Sequence, residues 1–294
     1  MNSYDIIFLG HMCYDEITPY MGRTRVSPGS AVFCSAMAAV GTGKRVAAVV
    51  KMALADEAIL QPMRDAYVDT YVIPAEQTTY SVVIHPEPDV DVRKLILKKS
   101  AGKIRIGEVP PLGARCLHLA GISDTEFDMD LIVGLADRRY SLSADMQSFV
   151  RQVDPVTGEI AFRDVPSKQA IVERLDKVKL DAVEAKILTG CDDIEQAALR
   201  FEQWGCPEIM ITRADGVLAR AGQRTYFERF SHRNHMGRTG RGDTVFAAYL
   251  GRRLDCEVAE SLKFAAALVS IKMESHGPFL GTMKDVMLRM KQNH

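Results

Sequence analysis

The run Arg238-Thr239-Gly240-Arg241-Gly242-Asp243-Thr244 carries the residue types and spacing most able to do chemistry. Two glycines one residue apart allow a tight turn that a ligand can approach closely, because no Cβ stands in the way. The apolar stretch Val245 to Leu250 has helical character, so the turn is expected to open a buried helix. Backbone N–H groups at a helix N-terminus bind anions. A carboxylate at Asp243 would repel a phosphate unless its task is to take a proton from an alcohol while those N–H groups hold a phosphoryl in transit. That is kinase chemistry. The same letters also fit a plain glycine turn with a first-turn aspartate favoured by the helix dipole, and the string alone supports both readings about equally.

Further polar clusters fall where an open α/β sheet presents its ligands, beyond the carboxyl ends of strands. Asp15, in Gly10-His11-Met12-Cys13-Tyr14-Asp15, is placed to accept hydrogen bonds from a polyol, or is a cap or loop residue. Asp145-Met146-Gln147-Ser148-Phe149-Val150-Arg151 is a pocket edge or a solvated loop. Glu184 is a site carboxylate or an exposed residue of a first helical turn. Arg213, beside Thr212 and before Gly216, suits a phosphate contact or the bare surface. The string Lys272 to Phe279 contains Gly277-Pro278, which reads equally well as a helix stop. Gly41-Thr42-Gly43-Lys44 lacks the first glycine and the hydroxyl residue of a phosphate-binding P-loop.

These residues need a frame. Ile6 to Leu9 is continuously apolar, as strands buried on both sheet faces are. Ala31 to Val40 reads as a buried helix stopped at Gly41, and Val46 to Val50 as the next strand. Between about Val68 and Ile106 the pattern changes. Tyr71–Ile73, Tyr80–Ile84 and Arg93–Leu97 are short β-rich runs separated by prolines and acidic residues, which suggests hairpins with one solvated face. After Pro110-Pro111 strands are expected at Cys116–Leu119, Tyr140–Ala144, Leu180–Val183 and Ile209–Thr212. Helices are expected at about 129–138, 168–177, 193–204, 244–254, 258–274 and 282–291. This alternation predicts an α/β fold, a doubly wound, mostly parallel sheet flanked by helices. Residues 1–294 would form a single domain, with residues 68–106 a small β lid inserted in it.

A chain of 294 residues can bury a substantial core. Its formal net charge of −1 leaves no basic excess for nucleic acid. Six scattered cysteines without C-x-x-C spacing are expected to be reduced, and no zinc site is expected. No apolar stretch approaches the ~20 residues of a membrane span, and no charged-then-apolar leader precedes the first strand. A cytoplasmic protein is the expectation.

The glycine-aspartate string resembles the Gly-x-Gly-Asp signature of the ribokinase-like (PfkB) carbohydrate kinases. The remaining partial motifs follow in family order from residue 10 to about 280. The resemblance implies an anion hole at Gly240, Arg241 and Gly242 with Asp243 as catalytic base. It implies sugar or polyol binding by Asp15, by Gly29 and Ser30 in a turn similar to the family's Gly-Gly turn, and by Gln147 and Arg151. It places Thr212, Arg213 and Gly216 beside ATP phosphates and Gly277 in the adenine loop. Glu184 corresponds to the glutamate that orients the Mg²⁺ shell, a role one carboxylate can fill because magnesium keeps its waters. Departures occur at Arg241, usually a small residue, and at Gly237, often an aspartate, which leaves the use of a monovalent cation open. The single glycine at 29, the absence of an asparagine after it and the Asp145–Arg151 string resemble the inositol-kinase-like branch.

The function expected is therefore an ATP-dependent kinase acting on a hydroxyl of a small sugar or cyclic polyol, with ATP and Mg²⁺ as cofactors. The alternatives are a nucleoside kinase and a non-catalytic nucleotide or sugar sensor, against which the retained Asp243 counts. The expected partners are small molecules, neither nucleic acid nor membrane, and the family also allows a homodimer through the lid.

Overall fold

The first strand shows how the chain divides its apolar residues. Side chains alternate across a strand, so Ile6 and Phe8 enter one core cluster while Ile7 and Leu9 enter another on the opposite face. The computed structural model describes residues 3–89, 92–138, 140–234 and 236–292. In chain order the strands are β1 (Ser3–His11), β2 (Cys13–Thr18), β3 (Arg25–Gly29), β4 (Val46–Met52), β5 (Asp69–Pro74), β6 (Thr79–Ile84), β7 (Lys94–Lys99) and β8 (Gly113–Leu119). They continue as β9 (Ser141–Asp145), β10 (Arg151–Val153), β11 (Ile160–Phe162), β12 (Lys177–Asp181), β13 (Glu208–Thr212), β14 (Gly216–Ala221) and β15 (Arg224–Arg229).

The helices are α1 (Ala31–Val40), α2 (Gln61–Asp65), α3 (Met129–Ala136), α4 (Gln147–Val150) and α5 (Lys168–Val172). Then follow α6 (Ala182–Thr189), α7 (Ile194–Gln203), α8 (Arg241–Arg253), α9 (Val258–Met273) and α10 (Met283–Gln292). Residues of α1, α8 and α9 cover one face of the main sheet, and those of α3, α6 and α7 the other.

Among the described residues the main sheet has nine strands in the order β15-β14-β13-β12-β9-β8-β1-β4-β5. It is parallel except at β14 and β15. Strand order runs outward in both directions from β1, so a crevice opens beyond the carboxyl ends of β1, β8, β9 and β12. The predicted fold class is the observed one.

Several boundaries differ from the sequence reading: the helix expected over 168–177 ends at Val172, with Lys177 already in β12, and two further differences bear on the site. The lid was expected from residues 68–106, yet β5 pairs with β4 and so belongs to the main sheet. The separate small sheet, β3-β2-β6-β7, draws half its strands from residues 13–29. Tyr4, Asp69 and Tyr71 explain the place of β5: the Tyr4 hydroxyl donates to Asp69 at 2.8 Å and meets the Tyr71 hydroxyl at 2.6 Å. The second difference lies at the strand expected over Leu180–Val183. It stops at Asp181, whose carboxylate caps α6.

All six cysteines are free. Among the described residues no helix is long and apolar enough to cross a membrane.

Candidate active site

The anion-hole turn is shaped by Gly240, which caps α8 with φ 76°, a left-handed conformation glycine takes without strain. A Cβ there would stand 2.5 Å from Cys34 Sγ. The Arg241 N–H turns back onto the Arg238 carbonyl at 3.2 Å, and the Thr244 N–H closes the first helical bond onto the Gly240 carbonyl at 3.0 Å. The remaining N–H groups at the start of a helix have no partner within it. Asp243 sits in this first turn, and its Oδ1 accepts from Gln147 Nε2 at 3.2 Å.

One cavity gathers the residues that matter. Asp15, Ser30, Gln147, Arg151, Thr212, Gly240, Arg241, Gly242 and Asp243 all line it. Asp15 lies on β2 and accepts from Cys13 Sγ at 3.1 Å. Burial raises its pKa above the ordinary carboxylate value and the charge of Asp243 adds to the rise, while hydrogen bonds from Cys13 and Ser81 oppose it. Gly29 pairs with Cys13 on the adjacent strand, and any side chain there would run into the Asp15 carboxylate. Ser30 holds φ 138°, a conformation costly for a residue with a Cβ. Its hydroxyl accepts from the Phe33 N–H at 3.0 Å and so caps α1. The serine thus takes a backbone shape suited to the second glycine that this turn lacks.

A charged floor lies under the turn. Lys179, buried on β12, bonds Asp145 at 2.8 Å, and its Nζ is 2.5 Å from where a Gly242 side chain would begin. Burial, only partly offset by Lys179, raises the Asp145 pKa to about 7. Arg151 reaches Glu184 at 3.2 Å, and its Nε is buried without a hydrogen-bond partner among the described residues. Arg93, just before β7, and Arg238 bring two more guanidinium groups to the same cavity, whereas the Arg241 guanidinium lies over the Phe230 ring at 5.8 Å. Burial lowers the Arg93 pKa to about 10, and Arg151 and Arg238 add to the fall. Such a cluster of cations suits an anion with several phosphate oxygens.

The remaining expected residues are placed elsewhere. Glu184 is fully buried, and its second oxygen accepts from the Asp181 N–H at 2.9 Å in a capping box. Both its oxygens are engaged, by Arg151 and by the Asp181 N–H, so Glu184 would act on a magnesium ion through that ion's waters and not as a direct ligand. Arg213 pairs with Asp215 at 2.5 Å and lies over the Phe227 ring at 4.7 Å. Gly216 is packed against Glu228 and Phe227, and Gly277 has open space around it. Of the four residues expected around ATP, only Thr212 lines the cavity.

Lys179, Arg93, Arg238 and Ser81 were not singled out from the sequence. Two of them carry a strand signal. Lys179 lies two residues before Asp181, hence on the same strand face, and Arg93 precedes Leu95 and Leu97, whose face is buried.

A parallel sheet with a crevice at its carboxyl edge, a small covering sheet, and a glycine turn opening a helix with an aspartate together define the ribokinase-like fold. Comparison with known proteins finds this fold in solved kinases of the ribokinase family, which the chain resembles at 26–29% identity. A structure of a pyrophosphate-dependent kinase in the ribokinase family, complexed with sulfate, is 29% identical with a TM-score of 0.89, covering 96% of this chain and 99% of that one. A pyrophosphate-dependent kinase of the family, complexed with a pyrophosphate analog and myo-inositol, is 26% identical with a TM-score of 0.87 over the same shares. A cytidine kinase of Thermococcus kodakarensis is 24% identical over 223 residues, 74% of this chain and 76% of that protein. No protein-family model matches the chain.

Proposed function

We propose that this protein is a kinase that transfers a phosphoryl group to a hydroxyl of a small cyclic polyol or sugar. The observation that carries the reading is Asp243, in the first turn of α8 and held by Gln147 at 3.2 Å, sharing one cavity with Asp15 and four arginines. Asp15 accepts hydrogen bonds from acceptor hydroxyls and orients the ring. The acceptor oxygen attacks the terminal phosphorus, its proton passes to Asp243, and the bond to the leaving phosphate breaks. Negative charge on the transferring group is met by the N–H groups of Gly240 and Gly242, preorganised donors of the kind that stabilise transition states.

The donor has two readings. ATP with Mg²⁺ is the one implied by the family signature. Pyrophosphate is favoured by a specific feature: Arg93, Arg151 and Arg238 converge on the cavity, whereas Arg213, Gly216 and Gly277 do not line it. Three guanidinium groups suit a donor that is all phosphate and needs no seat for a base. The structures that resemble this chain at 26–29% identity include pyrophosphate-dependent kinases, which agrees with that reading.

One assay tests both parts. Phosphorylated product is followed by ³¹P NMR with ATP or pyrophosphate as donor and a panel of inositols, sugars and nucleosides as acceptors. A phosphomonoester of a polyol or sugar is the expected product, and faster turnover with pyrophosphate decides the donor. No phosphoryl transfer with any pair would favour the sensor reading.

A further inference from the structure

The carbonyl side of the anion-hole turn is held by a buried cation. Lys272, in the last turn of α9, is 1% exposed. Its ammonium donates to the Gly237 carbonyl at 2.5 Å and to the Thr239 carbonyl. The same turn is fastened to the end of α9 through its backbone, where the Gly237 N–H donates to the Met273 carbonyl at 2.8 Å. Side-chain space at Gly237 is closed by the carbonyls of Ser275 and Lys272.

Burying an ammonium is costly, and here burial, followed by the charge of Arg238, lowers its pKa, while Cys34 and Asp243 act in the opposite sense. A fold that needed only packing at this point would be better served by an apolar side chain. The gain is electrostatic. The Thr239 carbonyl belongs to the same peptide unit as the Gly240 N–H, so a positive charge on the oxygen polarises that N–H towards the cavity. An ammonium on the inner face therefore strengthens a donor on the outer face at little cost in reorganisation.

We propose that Lys272 is a positioning residue for phosphoryl transfer, a built-in cation that orients and polarises the anion-hole turn from behind. The inference rests on the phosphotransfer reading of the site. It implies that the protein has no use for a dissolved monovalent cation at this turn, since the ammonium already occupies the two carbonyls.

The test uses the full chain, Lys272→Ala and Lys272→Met, with calorimetric binding of pyrophosphate beside turnover. Wild-type kcat should change less than about twofold between potassium and tetramethylammonium buffers. Lys272→Met should lose ~10²-fold in kcat, the scale seen when an oxyanion donor is removed, with acceptor KM nearly unchanged. Lys272→Ala should regain at least tenfold on adding ammonium or potassium, which a merely structural lysine would not allow. Strong potassium activation of the wild type overturns the proposal, as does either variant folding with parental kcat. If both variants fail to fold, the potassium result on the wild type decides alone. A wild type that binds pyrophosphate but transfers nothing sinks the kinase reading instead. Weaker pyrophosphate binding in Lys272→Met would then still support the polarised turn, and unchanged binding would overturn it.

Discussion

Gln147 Nε2 lies 3.2 Å from Asp243 Oδ1 and 2.9 Å from the Gly121 carbonyl, and so ties the first turn of α8 to the loop after β8. The side chain is buried, and the Gln147 backbone N–H donates to Asp145 Oδ1 at 3.0 Å. Gln147 thus fixes where the Asp243 carboxylate points. Gln147→Leu keeps the volume and removes the donor. Turnover should fall ~10-fold or more through loss of orientation, with donor affinity unchanged. Steady-state kinetics over both substrates check this, and a parental kcat would remove Gln147 from the positioning scheme.

Asp243→Asn should abolish transfer while leaving donor affinity nearly intact. Proton removal by a positioned base is commonly worth ~10²–10⁴-fold, and the amide keeps the size while losing the basicity. Single-turnover transfer and equilibrium binding, measured on the same preparation, separate the two effects. A variant with the parent rate on the true acceptor would mean that another group takes the proton.

How much of this was legible in the sequence differs by element. The buried strands and the long helices were readable because continuous apolar runs and the 3.6-residue period are local signals. The lid was half legible. Short β-rich runs look alike whether they pair with a central strand, as β5 does, or with each other. Pairing is a non-local fact, and no strand was expected over β2 and β3, where only Asp15 and the turn at Gly29 were read. Asp243, Asp15 and Gln147 were legible through motif order, which the cavity now brings together. Glu184 shows the opposite case. The Asp-x-x-Glu spacing of a capping box was present in the letters, and the local hydrogen bonds account for this carboxylate more directly than a metal does. Lys272 gave no local signal, because its partners lie 33 and 35 residues away.

His118 supplies a stability prediction with a defined sign. It is buried between Phe8 and Phe246, with Nδ1 3.0 Å from the Ser143 hydroxyl. Burial first, then the nearby Lys179 charge, lowers its pKa from 6.5 to about 3. The unfolded chain therefore takes up a proton below about pH 6.5 that the folded chain refuses until about pH 3. Stability from this group is complete above that window and falls as the pH drops through it, by about 1.4 kcal/mol per unit. Denaturant titrations from pH 7 to pH 4 should show this slope, and His118→Leu should flatten it. An unchanged slope in the variant would assign the acid sensitivity to other groups.

Arg93, just before β7, joins the small sheet to the arginine cluster of the cavity. Three neighbouring guanidinium groups repel one another until an anion arrives, as the effect of Arg151 and Arg238 on Arg93 indicates. The small sheet is expected to act as a lid that settles over the bound substrates and excludes water. Amide exchange in β2, β6 and β7 should slow when pyrophosphate and acceptor are both present. Arg93→Ala should raise the donor KM more than the acceptor KM and weaken that protection. Exchange unaffected by saturating substrates would argue for a fixed cover instead.

The acceptor prediction follows from the wall that faces Asp243. Asp15, Ser30 and Gln147 line the cavity together with Ser81. The raised pKa of Asp15 reflects its burial, and beyond its bonds from Cys13 and Ser81 the carboxylate keeps lone pairs for acceptor hydroxyls. A cyclic polyol presents hydroxyls around its ring and can engage several of these groups at once. A site built to bond hydroxyls rejects analogues lacking them by large factors, because its own polar groups are left unpaired. Myo-inositol or a related cyclic polyol should therefore exceed ribose, fructose and cytidine in kcat/KM at a fixed donor concentration. Asp15→Ala should raise the polyol KM strongly, since each charged hydrogen bond is worth about 1.5–3 kcal/mol, while donor KM stays near its parental value. Equal losses for donor and acceptor would mark Asp15 as structural. A clear preference for cytidine or ribose would overturn the polyol assignment and leave the phosphotransfer scheme standing.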